Sequence, residues 1–411
     1  MSIFEAVLPK EWLWACVGDF YAVTKKPRSL NLSAFEKIPF SPMDCIPQGG
    51  QFDLRYTYKA AEEIKSGTYF EHGDVLVGKI TPCFENGKQA LAVNFSAPFG
   101  YATTEVIPLH PKDKNQDRRV LFYYLLHPDV RSHITEKMEG ATGRQRVPEN
   151  VLLELAFPRI PFTEQEKIGI ILLTVQQAIQ CEAVGFEKAQ ELKRAAMREV
   201  FTRGLRGEAQ KQTEIGLVPE SWSLRTVAKA VRPFKFERGK QLPTTAYQST
   251  GKYPIIDQGQ SDIAGYTDSD DCVIKPDIPL VIFGDHTRSL KYADFPFALG
   301  ADGTKPLVAS DGLNPKFLFY ALANLDIPSR GYNRHYKILA EKIIAFPSIQ
   351  EEQSQIVTLL SAIDDKITLH KRKKAALEAL FTSLLHQLMT GKIRVGDLDL
   401  SALSEPRTET A

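Results

Sequence analysis

Two long segments of the chain place apolar residues in alternating steps of four and three. The first stripe consists of Ile168, Leu172, Val175, Ile179, Phe186, Ala189, Ala196 and Val200, and the second of Ile356, Leu360, Ile363, Ile367, Leu377, Phe381, Leu384 and Leu388. This spacing over about five heptads predicts helices of about 40 residues, roughly 60 Å long, each with a narrow apolar seam. Because the two stripes keep the same phase, we expect them to pair within one chain. Oligomerisation through the same seam is the alternative.

Local signals predict where both helices begin and end. Thr163 followed by Glu166 is typical of a capping box at the start of the first helix. Gly204 and Gly391 stand where a glycine commonly ends a helix.

The segments that surround the helices are also duplicated. Residues 7–12 (VLPKEW) correspond to residues 217–222 (LVPESW), and Ala-Phe-Pro occurs both at 156–158 and at 345–347. A Glu-Gln pair follows each Ala-Phe-Pro shortly before the long helix. These repeats indicate the order domain, helix, domain, helix.

The repeats set the expected boundaries. They are 1–155 for the first domain, 156–205 for the first long helix, 206–213 for a linker, 214–345 for the second domain, 346–395 for the second long helix and 396–411 for a polar tail. Short β-like runs such as 74–78 and 280–284 are separated by Gly, Pro, Asn and Asp, and one short helix is expected in each domain, at 119–126 and 315–323. This pattern predicts α+β domains with mostly antiparallel sheets.

Composition changes this picture little. The 411 residues include 51 Lys+Arg and 50 Asp+Glu, so a DNA-binding surface would have to be a local basic patch balanced by acid elsewhere. The 5 cysteines form no CxxC pair, which argues against a zinc site or a disulfide framework. The apolar runs are shorter than the ~20 residues of a membrane span, and no signal peptide is recognisable, so we expect a cytoplasmic protein without a membrane.

Motifs for catalysis are missing from the sequence. It contains no GxxxxGK[ST] phosphate loop, no [DN]PPY methyltransferase motif and no HExxH metal motif. Adjacent Asp285 and His286 would point to opposite faces of a strand, which argues against a catalytic pair. The sequence therefore predicts no catalytic residues and no catalytic metal in this chain.

Polar loops with Arg, Lys, Asn, Gln and Gly are the candidate DNA contacts, because Arg can pair with guanine, and Asn or Gln with adenine, through two hydrogen bonds. One such loop precedes each Ala-Phe-Pro, and others follow the apolar strand-like runs. The candidates are Lys79, Thr81, Lys88, Arg144, Gln145 and Arg146 in the first domain, and His286, Thr287, Arg288, Lys305, Arg330, Asn333 and Arg334 in the second. Solvated loops are the alternative. For the basic run 371–374, exposure to water is favoured over contact with phosphates.

Taken together, these features resemble the specificity subunits of type I restriction-modification enzymes over nearly the whole chain. The resemblance is carried by LVPESW at 217–222, by the Phe-Pro and Glu-Gln signals before each helix, and by FGDHTR at 283–288 and GADGT at 300–304. The first domain lacks a counterpart of the Asp-His-Thr string.

The resemblance implies two target-recognition domains in a pseudo-twofold arrangement, separated by an antiparallel coiled coil. Each domain would recognise one half of a bipartite double-stranded DNA target, and the helices would set the spacer. Two modification subunits would dock on the helices and methylate adenine with S-adenosylmethionine, and restriction subunits would cleave DNA with ATP and Mg²⁺, so that this chain holds no cofactor. The alternatives are the recognition subunit of a stand-alone adenine methyltransferase, and a coiled-coil scaffold that binds only proteins.

Overall fold

The computed structural model describes residues 2–52, 54–236, 240–300, 303–329, 331, 333–401 and 403. The chain forms two compact units. The first unit contains Met1–Ala183 and Lys371–Ala411, and the second contains Val184–His370. Each unit thus combines one β-rich domain with one half of each long helix.

The first unit is built on a pair of four-stranded sheets and a short two-stranded one. Its strands are Trp14–Cys16 (β1), Tyr21–Val23 (β2), Ile38–Ser41 (β3), Thr57–Lys59 (β4), Thr68–Glu71 (β5), Val75–Gly78 (β6), Gln89–Leu91 (β7), Phe99–Ala102 (β8), Val106–Pro111 (β9) and Ala156–Pro158 (β10). Its α-helices are Val17–Phe20 (α1), Arg118–Tyr124 (α2), Pro128–Thr135 (α3), Glu149–Leu153 (α4), the first half of Phe162–Arg203 (α5) and the second half of Gln350–Met389 (α9).

The second unit uses the same kinds of element. Its strands are Gln210–Thr213 (β11), Gly216–Pro219 (β12), Trp222–Thr226 (β13), Val231–Pro233 (β14), Tyr253–Ile256 (β15), Gly265–Thr267 (β16), Val273–Ile274 (β17), Leu280–Gly284 (β18), Leu290–Ala293 (β19), Phe297–Leu299 (β20), Thr304–Ala309 (β21) and Ile343–Pro347 (β22). Its α-helices are Val227–Ala230 (α6), Pro315–Ala323 (α7), Tyr336–Glu341 (α8), the second half of α5 and the first half of α9.

The two units have the same sheet topology. In the first unit the four-stranded sheets run β2-β9-β6-β7 and β4-β3-β8-β5, and in the second they run β14-β21-β18-β19 and β16-β15-β20-β17. Strands β2, β9, β6 and β7 correspond to β14, β21, β18 and β19, and strands β4, β3, β8 and β5 correspond to β16, β15, β20 and β17. The pairings are antiparallel except β3 with β8 and β15 with β20. The predicted duplication and the α+β class are therefore confirmed.

The central strands β6 and β18 each lie between two buried clusters, which is why each domain contains an uninterrupted apolar run. Val75 and Val77 belong to one buried cluster, whereas Leu76 belongs to another. In the second unit, Val281 and Leu280 divide in the same way. Since successive side chains of a strand point to opposite faces, a strand between two cores must be apolar at every position.

The two short helices predicted from the apolar pattern are confirmed. Helix α2 follows the N-cap Asp117, and helix α7 follows the N-cap Asn314. In both cases the cap side chain accepts hydrogen bonds from backbone N–H groups of the first turn, groups that a helix leaves without a partner in the backbone.

The long helices α5 and α9 pack against each other within each unit. All the apolar seam positions are buried or half-buried. In the first unit, Ile168 and Leu172 share a core with Leu385 and Leu388. In the second, the end of α5 shares a core with the start of α9 through residues such as Ile356. Start packs against end in both units, which confirms an antiparallel coiled coil.

Helix α5 is long and apolar enough, by length and composition, to cross a membrane. One 18-residue window has a mean hydropathy of 1.4, and 28% of that window is buried. This differs from the sequence-based expectation that all apolar runs are shorter than a membrane span. Both ends of α5 contribute apolar side chains to a domain core, Ile168 and Leu172 at its start and Val200 and Phe201 at its end, which is the packing of a core helix.

The structure corrects the start of α5 and confirms the ends of both long helices. The helix begins at Phe162, and the N–H groups of Glu164 and Gln165 donate to Pro161 O at 2.9 Å. Thr163 therefore lies inside the first turn, so the predicted capping box is wrong. Gly204 and Gly391 follow α5 and α9 with φ of 64° and 66°, the left-handed conformation that glycine adopts at low cost.

The glutamine of each Glu-Gln pair holds the start of a short helix. Gln165 Oε1 accepts from Asp117 N at 2.9 Å, and Gln353 Oε1 accepts from Asn314 N at 2.7 Å. Both glutamines are at most 2% exposed. A buried side-chain amide is costly unless it is hydrogen-bonded, so the sequence signal reflects one repeated structural contact.

The glutamate of each pair binds an arginine that follows the other long helix. Glu164 accepts from Arg394 at 2.5 and 2.9 Å in the first unit. In the second, Glu352 lies 3.2 Å from Arg206 Nε. Both carboxylates are at most 5% exposed. Each ion pair therefore ties the end of one long helix to the start of the other.

We expect the Glu164 carboxylate to make the free energy of unfolding decrease at acidic pH. Hydrogen bonds from Arg394 lower the pKa of Glu164 below its ordinary value. The folded state therefore binds this proton less well than the unfolded state, and the stabilisation is lost as pH falls through the folded pKa. Glu164→Gln should lower the free energy of unfolding by about 1 kcal/mol at pH 7 and by little at pH 3.

Urea unfolding at the two pH values measures this difference. Glu11→Gln is the matched control, because Glu11 contacts the same Arg394 but is 65% exposed. It should change stability little at either pH. An equal loss for Glu164→Gln at pH 7 and pH 3 would contradict an ionic role for this carboxylate.

The predicted linker contains regular structure. Strands β11 and β12 pair as an antiparallel hairpin, from Gln210 opposite Pro219 to Thr213 opposite Gly216. Gly216 has a φ of 101°, which permits the tight turn. The polar composition of this segment is compatible with a hairpin, because a two-stranded ribbon needs no large apolar face.

Candidate nucleic-acid interface

In the first unit, three segments meet at the end of strand β6. Lys79 N donates to Glu105 O at 2.9 Å, at the start of β9. Val147 N donates to Lys79 O at 2.8 Å, and Thr81 N donates to Gln145 O at 2.9 Å. The structure thus brings Lys79, Thr81 and the glycine-containing loop before α4 to one edge of the sheet, although they are distant in sequence.

Arg146 is held at this edge by an ion pair. Its Nε and Nη2 donate to the two carboxylate oxygens of Glu105 at 2.9 and 2.8 Å. These hydrogen bonds lower the pKa of Glu105. The pair occupies one two-donor edge of the guanidinium, so a guanine that used this edge would have to displace Glu105. Arg144 is exposed in the same loop.

Other candidates of the first unit fix the loop that follows β6. Lys88 Nζ donates to Met43 O at 2.9 Å, and Thr81 Oγ1 donates to Glu85 Oε1 at 2.8 Å. Both side chains are half-buried, whereas Asn86 between them is exposed. These contacts give Lys88 and Thr81 a structural role in shaping the loop.

The second unit has an equivalent junction at the end of β18. Asp285 N donates to Gly303 O at 2.8 Å, which matches the bond from Lys79 to Glu105, and His335 N donates to Asp285 O at 2.8 Å. Asp285 is 2% exposed, and its carboxylate accepts from Tyr336 N at 2.8 Å. The aspartate therefore anchors the backbone of the loop before α8.

Gln258 organises the residues that follow Asp285. Its carbonyl oxygen accepts from the hydroxyl of Thr287 and, at 2.9 Å, from the hydroxyl of Ser289. Its side-chain oxygen accepts from His286 N at 3.3 Å. His286 and Thr287 are thus held in a defined, half-buried turn beside the sheet edge.

The remaining candidates of the second unit occupy different positions. Arg288 is exposed with a φ of 62°, and its Nη1 donates to Ile327 O at 2.8 Å. Lys305 lies half-buried in β21, opposite Phe283 of β18. Asn333 and Arg334 are exposed before α8. Arg330, residues 301–302 of the GADGT string and Tyr332 lie outside the described residues.

The glycine of each loop is required by backbone conformation. Gly143 has a φ of 80° and Gly331 a φ of 68°, and a side chain at either position would meet open space. Glycine is therefore favoured at these positions because the backbone is left-handed, and not because a larger side chain would clash. The sequence correspondence between the two loops is confirmed in this respect.

Comparison with known proteins identifies the class to which these paired domains belong. Residues 9–193 and 233–379 match the family described as type I restriction modification DNA specificity domain. The chain belongs to this family. It is 25% identical to the MjaVIII specificity subunit of a type I restriction enzyme from Methanocaldococcus jannaschii, with 95% of each chain covered, and 24% identical to a protein assigned as the MjaX specificity subunit of the same organism, with 79% of each covered.

The fold agrees with this assignment. The crystal structure of the type I restriction-modification S subunit from M. genitalium matches with a TM-score of 0.58 and 14% identity, over 92% of this chain and 96% of that chain. The chain is therefore a specificity subunit of a type I restriction-modification system, a DNA-recognising and non-catalytic component that acts with the other subunits of the complex.

In this specificity subunit, two side chains important for the candidate interface were not predicted from the sequence. Glu105 orients Arg146, and Gln258 holds the His286–Thr287 turn. Neither belongs to a motif. The available signal is position: Glu105 stands directly before β9, and Gln258 two residues after β15.

The basic run at 371–374 of the specificity subunit lies in α9. Lys373 Nζ is 3.9 Å from Glu182 Oε1, and Lys374 Nζ is 3.4 Å from Glu378 Oε1. Lys371 to Lys373 are exposed. Exposed pairs of this kind contribute little to stability.

Proposed function

We propose that each domain recognises one half of a bipartite double-stranded DNA target through the sheet edge described above. The observation that carries this proposal is a repeated junction with unlike side chains. Lys79 in the first unit and Asp285 in the second make the same backbone hydrogen bond, to the residue that precedes the neighbouring strand of the sheet, β9 or β21. A common frame with different residues at one edge suits two half-sites of different sequence.

The coiled coil would set the length of the unspecified spacer between the half-sites. In this proposal, two modification subunits dock on the helices and methylate adenine N6 with S-adenosylmethionine. Restriction subunits would add ATP- and Mg²⁺-dependent cleavage. The chain itself would bind none of these cofactors and would act in the cytoplasm. Support comes from family membership and from the paired helices, each of which spans about 40 residues.

Domain exchange combined with methylation mapping tests the proposal. Residues 214–345 would be replaced by the same domain of a relative, and the chimaera co-expressed with the modification subunit in a host free of DNA methylation. Sequencing for N6-methyladenine should show a split motif in which one half-site changes and the other remains. A change in both halves, or an unsplit motif, would overturn the assignment of one domain to each half-site.

Arg144 offers a test of the first unit's edge. If this exposed arginine contacts a phosphate, Arg144→Ala should weaken DNA binding of the assembled complex on all sequences and lower the slope of log K against log salt by about one. The methylated motif should stay the same. Fluorescence anisotropy at several salt concentrations measures both quantities.

Lys10→Ala is the control for this measurement. Lys10 is also exposed, but it lies in the turn before β1, which is not one of the segments that meet at the end of β6. It should leave affinity and salt slope unchanged. Equal effects of the two substitutions would mean that loss of general positive charge, and not the loop, explains the weakening.

A further inference from the structure

We propose that His127, Asp129 and His386 form a binding site for a divalent transition-metal ion such as Zn²⁺ in the first unit. His127 is the N-cap of α3, Asp129 lies in its first turn, and His386 lies in the last turn of α9. The site is separate from the candidate DNA-binding edge, which is built from other residues of the unit. The inference does not depend on how DNA is recognised.

The distances suit a first-row metal. His127 Nε2 and His386 Nδ1 face each other at 3.1 Å, and one ligand atom of each of the three residues lies within 4.8 Å of the others. A tetrahedral zinc ion with Zn–N bonds of about 2.0–2.1 Å holds its ligand atoms roughly 3.3 Å apart. The two nitrogens therefore need to move little to bind one ion, whereas the Asp129 carboxylate would have to move closer to them.

The chemistry of the ligand set points in the same direction. Two imidazoles with one carboxylate are suited to Zn²⁺, Co²⁺ or Ni²⁺, while Mg²⁺ and Ca²⁺ prefer oxygen ligands alone. His127 is 4% exposed, so its ring is fixed by packing. Asp129 Oδ2 accepts a hydrogen bond from Ile3 N at 2.8 Å, and this bond helps to orient the carboxylate. Three protein ligands leave room for water, which makes the site exchangeable.

Without an ion, a hydrogen bond joins the two rings. His127 Nδ1 accepts from Asp129 N at 3.2 Å, which places the ring proton of neutral His127 on Nε2, facing His386 Nδ1. A metal ion would take the place of this single proton, and the weak cap bond from Asp129 N would be lost. The ion would then join the N-terminal segment at Ile3, the start of α3 and the end of α9.

Metal titration of the purified, untagged full-length chain tests the site. After removal of metals with a chelator, the chain is titrated with Co²⁺ and followed by visible absorbance, and with Zn²⁺ in a calorimeter. We expect one ion per chain, and a rise in Tm on addition of Zn²⁺. His386→Gln should weaken the binding of both ions at least tenfold and abolish the rise in Tm.

Further variants separate metal binding from folding. His127→Asn removes a ligand but keeps a good N-cap, so it should fold and yet bind the ion at least tenfold more weakly. His72→Gln is the control, because His72 is exposed and not part of the cluster. Absence of binding by the unmodified chain would overturn the proposal, as would equal binding by His386→Gln and His72→Gln, since the ion would then be bound elsewhere.

Discussion

Removal of residues 180–186 together with 369–375 is expected to shorten the unspecified gap of the methylated motif by about three base pairs and to leave both half-sites unchanged. Seven residues of helix correspond to about 10 Å, and base pairs are stacked about 3.4 Å apart. The two segments lie opposite each other: Lys373 is 3.9 Å from Glu182 in the first unit. Removing both therefore keeps the antiparallel register.

The phase of the helices explains why seven residues should be tolerated. Two turns take up 7.2 residues, so loss of a heptad rotates the remainder of each helix by only about 20°. The deleted segments contain Glu182, His370 and Lys374, polar residues at positions where the apolar spacing is interrupted. Phe186 is the one residue of the two apolar stripes that is lost. The core of each domain is not touched.

Methylation mapping of the shortened subunit in complex with its modification subunit gives the readout. As a control, removal of 181–185 with 370–374 rotates the remaining helix by about 140° and turns the seam away from its partner, so no stable subunit is expected. A gap of unchanged length in a stable heptad-deleted protein would contradict the role of the helices as a spacer. A changed half-site would contradict the independence of the two domains.

Trp222→Ala is expected to destabilise the second unit by about 3–5 kcal/mol. Trp222 is 1% exposed, with ring centroids 6.3 Å from Phe201 of α5 and 6.2 Å from Phe317 of α7. Its Nε1 donates to buried Glu352 at 3.4 Å. Truncation would open a cavity where the long helix, the short helix and β13 meet. It would also remove a donor from a buried carboxylate.

Two further variants separate the loss of the Trp222 hydrogen bond from the loss of its ring volume and provide an exposed control. Trp222→Phe keeps most of the ring volume but loses the hydrogen bond, so it should cost less, about 1–2 kcal/mol. Trp14→Ala is the control, because Trp14 is 36% exposed and its removal should cost less than about 1 kcal/mol. Urea unfolding followed by circular dichroism compares the three variants. A loss for Trp222→Ala no larger than for Trp14→Ala would show that the ring does not hold these elements together.

The candidate interface was predicted from the sequence only in part. The loops were found because glycine next to several donors is a local signal, and Gly143 and Gly331 do have the left-handed backbone that requires it. The partners of those donors were not found. Glu105 binds Arg146 across 41 positions of sequence, and Gln258 reaches Thr287 across 29. No periodicity connects residues so far apart. Which side chains contact DNA remains a prediction.

The features that the sequence alone determined are those with a period or a repeat: the heptad seams, the duplicated domains, the apolar strand-like runs and the resemblance to the family. They arise from local geometry, because helix and strand periods fix which side chains share a face. The tertiary structure decided the rest. It placed the start of α5 at Phe162, paired the end of the polar linker with β12 in a hairpin, and gave the buried Gln165 and Glu164 their hydrogen-bond partners. Those outcomes depend on which distant backbone and charged groups come into contact when the core forms. A polar group needs a partner within the protein only when folding removes it from water, so the local sequence does not show which partner it finds.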